Sequence, residues 1–228
     1  MPIQLSKKNP IFPDVEDADD SGLLAVGGDL HITTLIHAYS KGIFPWYEDG
    51  MPILWWSPDP RMVIFPHKMI ISHSLKQSIK KKEFEISIDK AFEEVIENCS
   101  STPRKGEEGT WITPEMKQAY IKLHKEGLAH SVEAWQNNEL VGGFYGVALG
   151  KMFFGESMFH KVTNASKVAL FHFVEKLKEW DFKIIDAQMY TNHLESLGGE
   201  LIARGEYIKI LNEGVAIPDM VGSWENRI

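Results

Sequence analysis

HSVEAWQNNELVGGFYGVALGKMFFGE (130–156) is the stretch on which the fold is read. Two apolar-rich runs, His130 to Trp135 and Glu139 to Leu149, flank the polar residues Gln136 to Asn138, which is a hairpin signal. Lys151 to Glu156 follows Gly150 as a third strand. Toward the C-terminus, Asn164 to Trp180 reads as an amphipathic helix with Leu170, Phe173, Val174 and Leu177 on one face, and Phe182 to Met189 as a buried strand. Toward the N-terminus, Thr113-Pro114-Glu115 is a helix start, with Thr as N-cap, Pro in the first turn and an early acid. Met116, Ala119, Tyr120 and Leu123 then recur at i, i+3, i+4 and i+7, and Gly127 is the stop. Ser72 to Lys82 reads as a basic helix, Phe84 to Ile88 as a strand and Asp89 to Cys99 as a helix. This interleaving predicts an α/β fold of α+β type around a mixed sheet.

The first sixty residues differ in character. Ser21 to Leu30 forms a short apolar strand closed by a Gly27-Gly28-Asp29 turn, and Thr33 to Ser40 a short helix stopped by Gly42. Prolines at 45, 52, 58 and 60 forbid long regular elements. The division expected is a small N-terminal domain over 1–60 and a catalytic domain over 61–228.

Composition narrows the class. Of the 228 residues 43% are hydrophobic, enough for a sizeable core and against disorder. A single cysteine, Cys99, excludes an intrachain disulfide and points to a reducing compartment. Neither a signal peptide nor a membrane-length apolar run is seen, so the expectation is a soluble cytoplasmic protein. The net charge of −8 argues against a bulk nucleic-acid binder. Yet Arg61, Lys68, Lys76, Lys80, Lys81 and Lys82, with His67 and His73, occupy 61–82 without one Asp or Glu. Such a run is either a solvated helix face or a patch for phosphates.

Two groups of residues could carry chemistry. Glu156 and Asp186, with Gln188, make the first. An acid inside the apolar strand Ile184-Ile185-Asp186-Ala187 must be paired or shift its pKa, and alternation places Asp186 and Gln188 on one face. A buried pair that merely holds the sheet would look the same. Ser157, Asp186 and His193 follow the chain order of a serine hydrolase, but Phe159 stands where the nucleophile elbow needs its second glycine. Trp46, Trp55, Trp56 and Trp111 make the second group, as core plugs or as platforms for a base. The nine histidines never recur at i, i+4, and one cysteine cannot build a thiolate site, so no metal is expected.

Together the segments GLLAVGGDL (22–30), GIFPWY (42–47), PILWWSPDPRMV (52–63), EEGTWITPEM (107–116), AYIKLHKEGLAHSVEAW (119–135), ELVGGFYGVALGKMFFGESMF (139–159), NASKVAL (164–170) and IIDAQMYTNHLESLGGE (185–200) resemble the bacterial leucyl/phenylalanyl-tRNA–protein transferases. The segments run in that family's order over most of 20–205. The resemblance implies a cytoplasmic, monomeric enzyme of the N-degron pathway with a GNAT-like catalytic domain. It would take Leu or Phe, and Met less well, from aminoacyl-tRNA and attach it to proteins beginning with Arg or Lys. Segment 160–166 has no glycine, so no acetyl-CoA loop comes with the likeness. Ala187, Glu195, Gly199 and Ala203 depart from the Cys, Ala, Ala and Pro expected there.

The resemblance also implies roles. The tRNA ester is already activated, so no cofactor is required. The attacking α-amine, with a pKa near 8, must lose a proton, and a carboxylate can help. Asp186 is assigned to amine activation, as base or as orienting group, with Gln188 beside it; Glu156 would hold a positive amine or guanidinium. Trp46 and Trp111 would sandwich the terminal adenine. Phe144, Phe153, Leu170, Leu177 and Ile185 would line the side-chain pocket, and Lys76, Lys80, Lys81 and Lys82 would hold the tRNA backbone. A noncatalytic binder of charged tRNA, with structural acids, is the alternative.

Overall fold

A computed structural model describes residues 2–8, 10–102 and 112–227. The chain begins with β1 (Ile3–Leu5), β2 (Leu23–Gly27), α1 (Ile32–Ser40), β3 (Phe44–Pro45) and β4 (Leu54–Trp56). These strands form a four-stranded sheet in the order β1-β2-β4-β3. Then come β5 (Arg61–Ile64), α2 (His73–Lys81), β6 (Glu85–Ile88), α3 (Phe92–Ser101), α4 (Pro114–Lys125), β7 (Ala129–Gln136), β8 (Glu139–Leu149) and β9 (Met152–His160). The chain closes with α5 (Ala165–Glu179), β10 (Ile184–Gln188), α6 (Asn192–Ser196), β11 (Glu200–Ile202) and α7 (Arg204–Val215). The second sheet runs β11-β5-β10-β9-β8-β7-β6. Its pairs are antiparallel except β9 with β10, which are parallel. The fold is mixed α/β.

Local chemistry explains most boundaries. The β7–β8 connection is two residues, not three: Gln136 pairs with Glu139, and Asn137 and Asn138 both take positive φ, 52° and 63°. Two consecutive left-handed residues match the twist of a hairpin, and Asn tolerates that region. Thr113 caps α4 by accepting the Met116 N–H, and Ser72 caps α2 by accepting that of Leu75. The helix read from Asp89 starts three residues later, at Phe92, because Asp89 itself sits at φ 59° with its carboxylate held by His130 and by the Ser131 and Trp224 N–H groups.

The first sheet ends at Trp56 and the second starts at Arg61. One apolar core nevertheless joins them: Tyr39, Phe44 and Trp55 pack with Met116, Tyr120, Phe154 and Tyr207. A second core lies under α5, where Phe144, Phe153, Phe173 and Leu177 meet Trp224. The site depends on this shared core, because α1 and α4 both reach β9 through it.

Candidate active site

Two bulges shape the site. Along β8 and β9, Tyr145 pairs with Ser157 and Gly146 with Gly155, leaving Glu156 as the extra residue. Along β10 and β5, Asp186 pairs with Val63 and Gln188 with Met62, leaving Ala187 extra. A bulge re-aims its side chains and is common beside active sites. The first one needs Gly146: a Cβ there would run into the Phe154 carbonyl and the Phe153 ring.

The bulges border a cavity of about 630 Å³. Ile64, Phe144, Phe153, Leu170 and Ile185 give it an apolar wall, and Glu156, Ser157, Gln188 and His193 give it polar groups. Four of the five residues expected for a side-chain pocket are therefore brought together. Leu177 is not: it is fully buried in the core under α5 and does not line the cavity. Seven residues along α5 from Leu170, it shares the apolar face but sits two turns further down the helix.

Trp46 lines the same cavity and is 36% exposed, its ring tilted against Trp56 at 5.7 Å. Trp55 is a core residue with no exposure, its Nε1 donating to the Gly27 carbonyl. Trp111 lies outside the described residues. Lys76, Lys80, Lys81 and Lys82 are exposed on α2 and its C-terminal cap, and none lines the cavity. Lys81 makes a 3.6 Å ion pair with Glu83.

The two acids have opposite surroundings. Asp186 has no exposure and does not line the cavity. Arg61 grips it through Nε to Oδ1 at 2.8 Å and Nη2 to Oδ2 at 2.7 Å. The Tyr207 hydroxyl donates to Oδ2 at 2.7 Å and the Gln188 backbone N–H to Oδ1 at 3.0 Å. Both oxygens are thus taken. Arg61 is itself clasped between the Phe44 and Tyr207 rings, 4.7 and 4.6 Å from its guanidinium carbon. Burial works against the guanidinium charge, but Asp186 outweighs it and holds the Arg61 pKa above its ordinary value. Of the two roles read for Asp186, direct proton abstraction has no open oxygen to perform it. The same contacts remove the orienting acid that a Ser157–His193 hydrolase would need. Burial, with Lys167 and His160 nearby, instead holds the His193 imidazole below its ordinary pKa.

Glu156 faces the cavity and, among the described residues, has no cation bonded to it. Its Oε1 accepts from the Tyr39 hydroxyl at 2.7 Å and from Gln188 Nε2 at 2.9 Å, and its Oε2 from the Tyr120 hydroxyl at 2.8 Å. The two tyrosine oxygens are 2.6 Å apart. Burial pushes the Glu156 carboxyl up to about 7; the three bonds resist the rise and the Asp186 charge adds to it. Gln188 reaches Glu156 from a left-handed backbone, φ 66°, which the Asp186–Gln188 N–H bond secures. Sequence reasoning placed Arg61 in the basic run, whereas it is buried against Asp186 and belongs to neither a solvated face nor a phosphate patch, and it missed Tyr39, Tyr120 and Tyr207 as site residues. The signal for Arg61 was an arginine after Pro60 heading a short apolar run, too brief to stand out as a strand.

An acid of raised pKa in a largely apolar cavity, beside an amide and a tryptophan, makes this cavity the candidate active site. The family model for leucyl/phenylalanyl-tRNA protein transferase matches residues 63–212, and that for its N-terminal domain residues 28–59. Proteins named leucyl/phenylalanyl-tRNA–protein transferase are similar over nearly the whole chain. That of Azotobacter vinelandii is 51% identical over 94% of this chain and 95% of its own. That of Desulfatibacillum aliphaticivorans is 49% identical over 98% and 96%. Among solved structures, L-PGS from Bacillus licheniformis shares 11% identity over 74% of this chain and 54% of its own, at a TM-score of 0.41, too distant to inform the site.

The chain belongs to the leucyl/phenylalanyl-tRNA–protein transferase family. It is an enzyme that transfers an aminoacyl group from tRNA to protein, which sets aside the noncatalytic alternative. No helix among the described residues is long and apolar enough to cross a membrane.

Proposed function

We propose that this enzyme transfers Leu or Phe, and Met less well, to proteins beginning with Arg or Lys, marking them for N-degron degradation in the cytoplasm as a monomer. The observation that carries the reading is the pairing of an apolar wall with the Glu156–Gln188 couple in one cavity. The aminoacyl side chain lies against Phe144, Phe153, Leu170 and Ile185. A shape-selecting apolar wall separates side chains by only about 1–3 kcal/mol per methylene, which suits a small set of apolar donors. The ester carbonyl and the acceptor amine meet at Glu156 and Gln188. Asp186 acts from behind, fixing Gln188 through its backbone.

Trp46 stacks on the terminal adenine, Trp111 being its partner by resemblance. Lys76, Lys80, Lys81 and Lys82 hold the acceptor stem by its phosphates. No cofactor is required, since the donor ester is already activated. The test is transfer of labelled Phe from Phe-tRNA to otherwise identical proteins beginning with Arg, Lys or Met. The expected result is label in the first two only; label in none, or equally in all three, would overturn the assigned specificity.

A further inference from the structure

Three basic side chains from three elements meet at the mouth of the cavity. His193 lines it from α6. Met158 lines it from β9, and His160, two residues on, shares that face of the strand. Leu170 lines it from α5, and Lys167, three residues earlier, shares that face of the helix. Lys167 and His160 stand close enough to His193 to act on its ionisation. A glycine permits the approach. His160 pairs with Gly142 across β8 and β9, and a Cβ on Gly142 would collide with the Ala165 side chain and the Ser166 backbone nitrogen. Without that Cβ, the first turn of α5, which holds Lys167, settles directly on the sheet beside His160.

The same end of α5 is tied to the basic helix. Asn164 Nδ2, at the head of α5, donates to Ser78 Oγ on α2 at 3.1 Å. So α2, with Lys76, Lys80 and Lys81, abuts the end of α5 that carries Lys167. Acids are kept away from this ground. No Asp or Glu occurs between Glu156 and Glu175, or between Asp186 and Glu195, although the net charge is −8. Farther along α5, Lys176 and Lys178 pair with Glu179 and Glu175 at 3.0 and 2.6 Å, whereas Lys167 has no acid partner among the described residues. Glu195, the acid on α6, is engaged by the Tyr190 hydroxyl at 2.8 Å. An unpaired ammonium beside two imidazoles makes a local positive potential at the mouth of an otherwise acidic protein.

Resting on the reading above, in which Trp46 takes the terminal adenine, we propose that His160, Lys167 and His193 bind the phosphate joining the terminal adenosine of the donor tRNA to the nucleotide before it. Lys167 supplies the charge and the imidazoles supply N–H donors. Such a contact carries no base specificity and fixes register. The site extends the α2 lysines to the cavity, so the single-stranded 3′ end runs from α2 over the start of α5 into the pocket. The aminoacyl-adenosine is then held at three points: the ring on Trp46, the side chain on the apolar wall and the phosphate at the mouth.

Puromycin mimics aminoacyl-adenosine without the phosphate, and puromycin 5′-phosphate differs from it by that group alone. The ratio of their dissociation constants, measured by calorimetry on the full chain at low salt, reads the proposed site. In wild type the phosphate should tighten binding about two- to fivefold, the worth of a largely solvated ion pair. Lys167→Gln and His160→Gln, both folded by circular dichroism, should each shrink that ratio toward one. Each should also lower the salt slope of Phe-tRNA binding, by up to about one unit. Lys176→Gln, at the far end of α5, should keep the wild-type ratio. A ratio of one in wild type, or an undiminished ratio in either Lys167→Gln or His160→Gln, would overturn the site. Trp46→Ala should weaken both ligands in equal proportion. Wild type that binds neither ligand would instead sink the placement of the aminoacyl-adenosine in this cavity.

Discussion

Asp186 and Glu156 lie on neighbouring parallel strands, each beside a bulge, yet they are different kinds of acid. Asp186 has a guanidinium on both oxygens and no access to the cavity. Glu156 has hydroxyls and an amide but, among the described residues, no bonded cation, and it opens onto the cavity. A buried acid with a matched cation is an anchor, and its removal damages the fold. A buried acid without one carries a pKa near the working pH, which suits proton transfer. The contrast teaches that the lone acid in an apolar strand was the conspicuous one in the sequence, while the less conspicuous neighbour is the one that faces the cavity.

The contrast can be broken most severely at Arg61. Arg61→Met should leave Asp186 as an unpaired buried charge and cost about 3–5 kcal/mol in denaturant unfolding, with activity lost alongside. Arg61→Met with Asp186→Leu should recover much of that stability. It should not recover transfer, because the Gln188 N–H loses the oxygen that secures its left-handed turn. Recovery of activity in the double variant would mean that Asp186 does not position Gln188.

At Glu156 the pattern should invert. Glu156→Gln keeps the shape of a protonated acid, so it should cut kcat by about 10²–10⁴-fold while leaving the protein folded. Its stability should also respond to pH with a definite sign. The Glu156 carboxyl rises from 4.5 to about 7 on folding, so its contribution is present below 4.5 and is lost as pH rises toward 7. Wild type should therefore lose stability relative to Glu156→Gln across that window and not above it. Parallel stability curves for the two proteins would contradict the raised pKa.

A finer version of the contrast lies along α5. Leu170→Ala should change the ratio of Leu to Phe transfer, by about 1–3 kcal/mol in kcat/KM. Leu177→Ala should cost about 2–5 kcal/mol of stability and leave that ratio alone. At the tRNA contacts, Trp46→Ala should weaken Phe-tRNA and puromycin binding by about 1–3 kcal/mol each, the worth of one stacking platform. Changing Lys80, Lys81 and Lys82 to Ala should have the smallest effect, reducing the salt slope of tRNA binding by up to about one unit per lost phosphate contact. An unchanged slope would make the cluster a solvated helix face.

The sequence by itself determined what depends on neighbours along the chain. The Asn137-Asn138 turn, the Thr113 and Ser72 caps and the apolar face of α5 follow from short-range sterics and periodicity. The matching segments identified the family, and they named Glu156, Gln188 and four apolar residues that the structure brings to one cavity. The sequence also required that Asp186 be paired or lose its charge, since an unpaired charge in an apolar strand is too costly. It could not name the partner. Arg61 stands 125 positions away, Tyr39 is 117 from Glu156, and Tyr120 is 36. Only the packing of β5 against β10, and of α1 and α4 against β9, decided which acid received the cation and which was left to hydroxyls and an amide. Burial makes every polar group demand a partner, but the identity of that partner is settled by long-range strand order and helix docking, which local pattern does not encode.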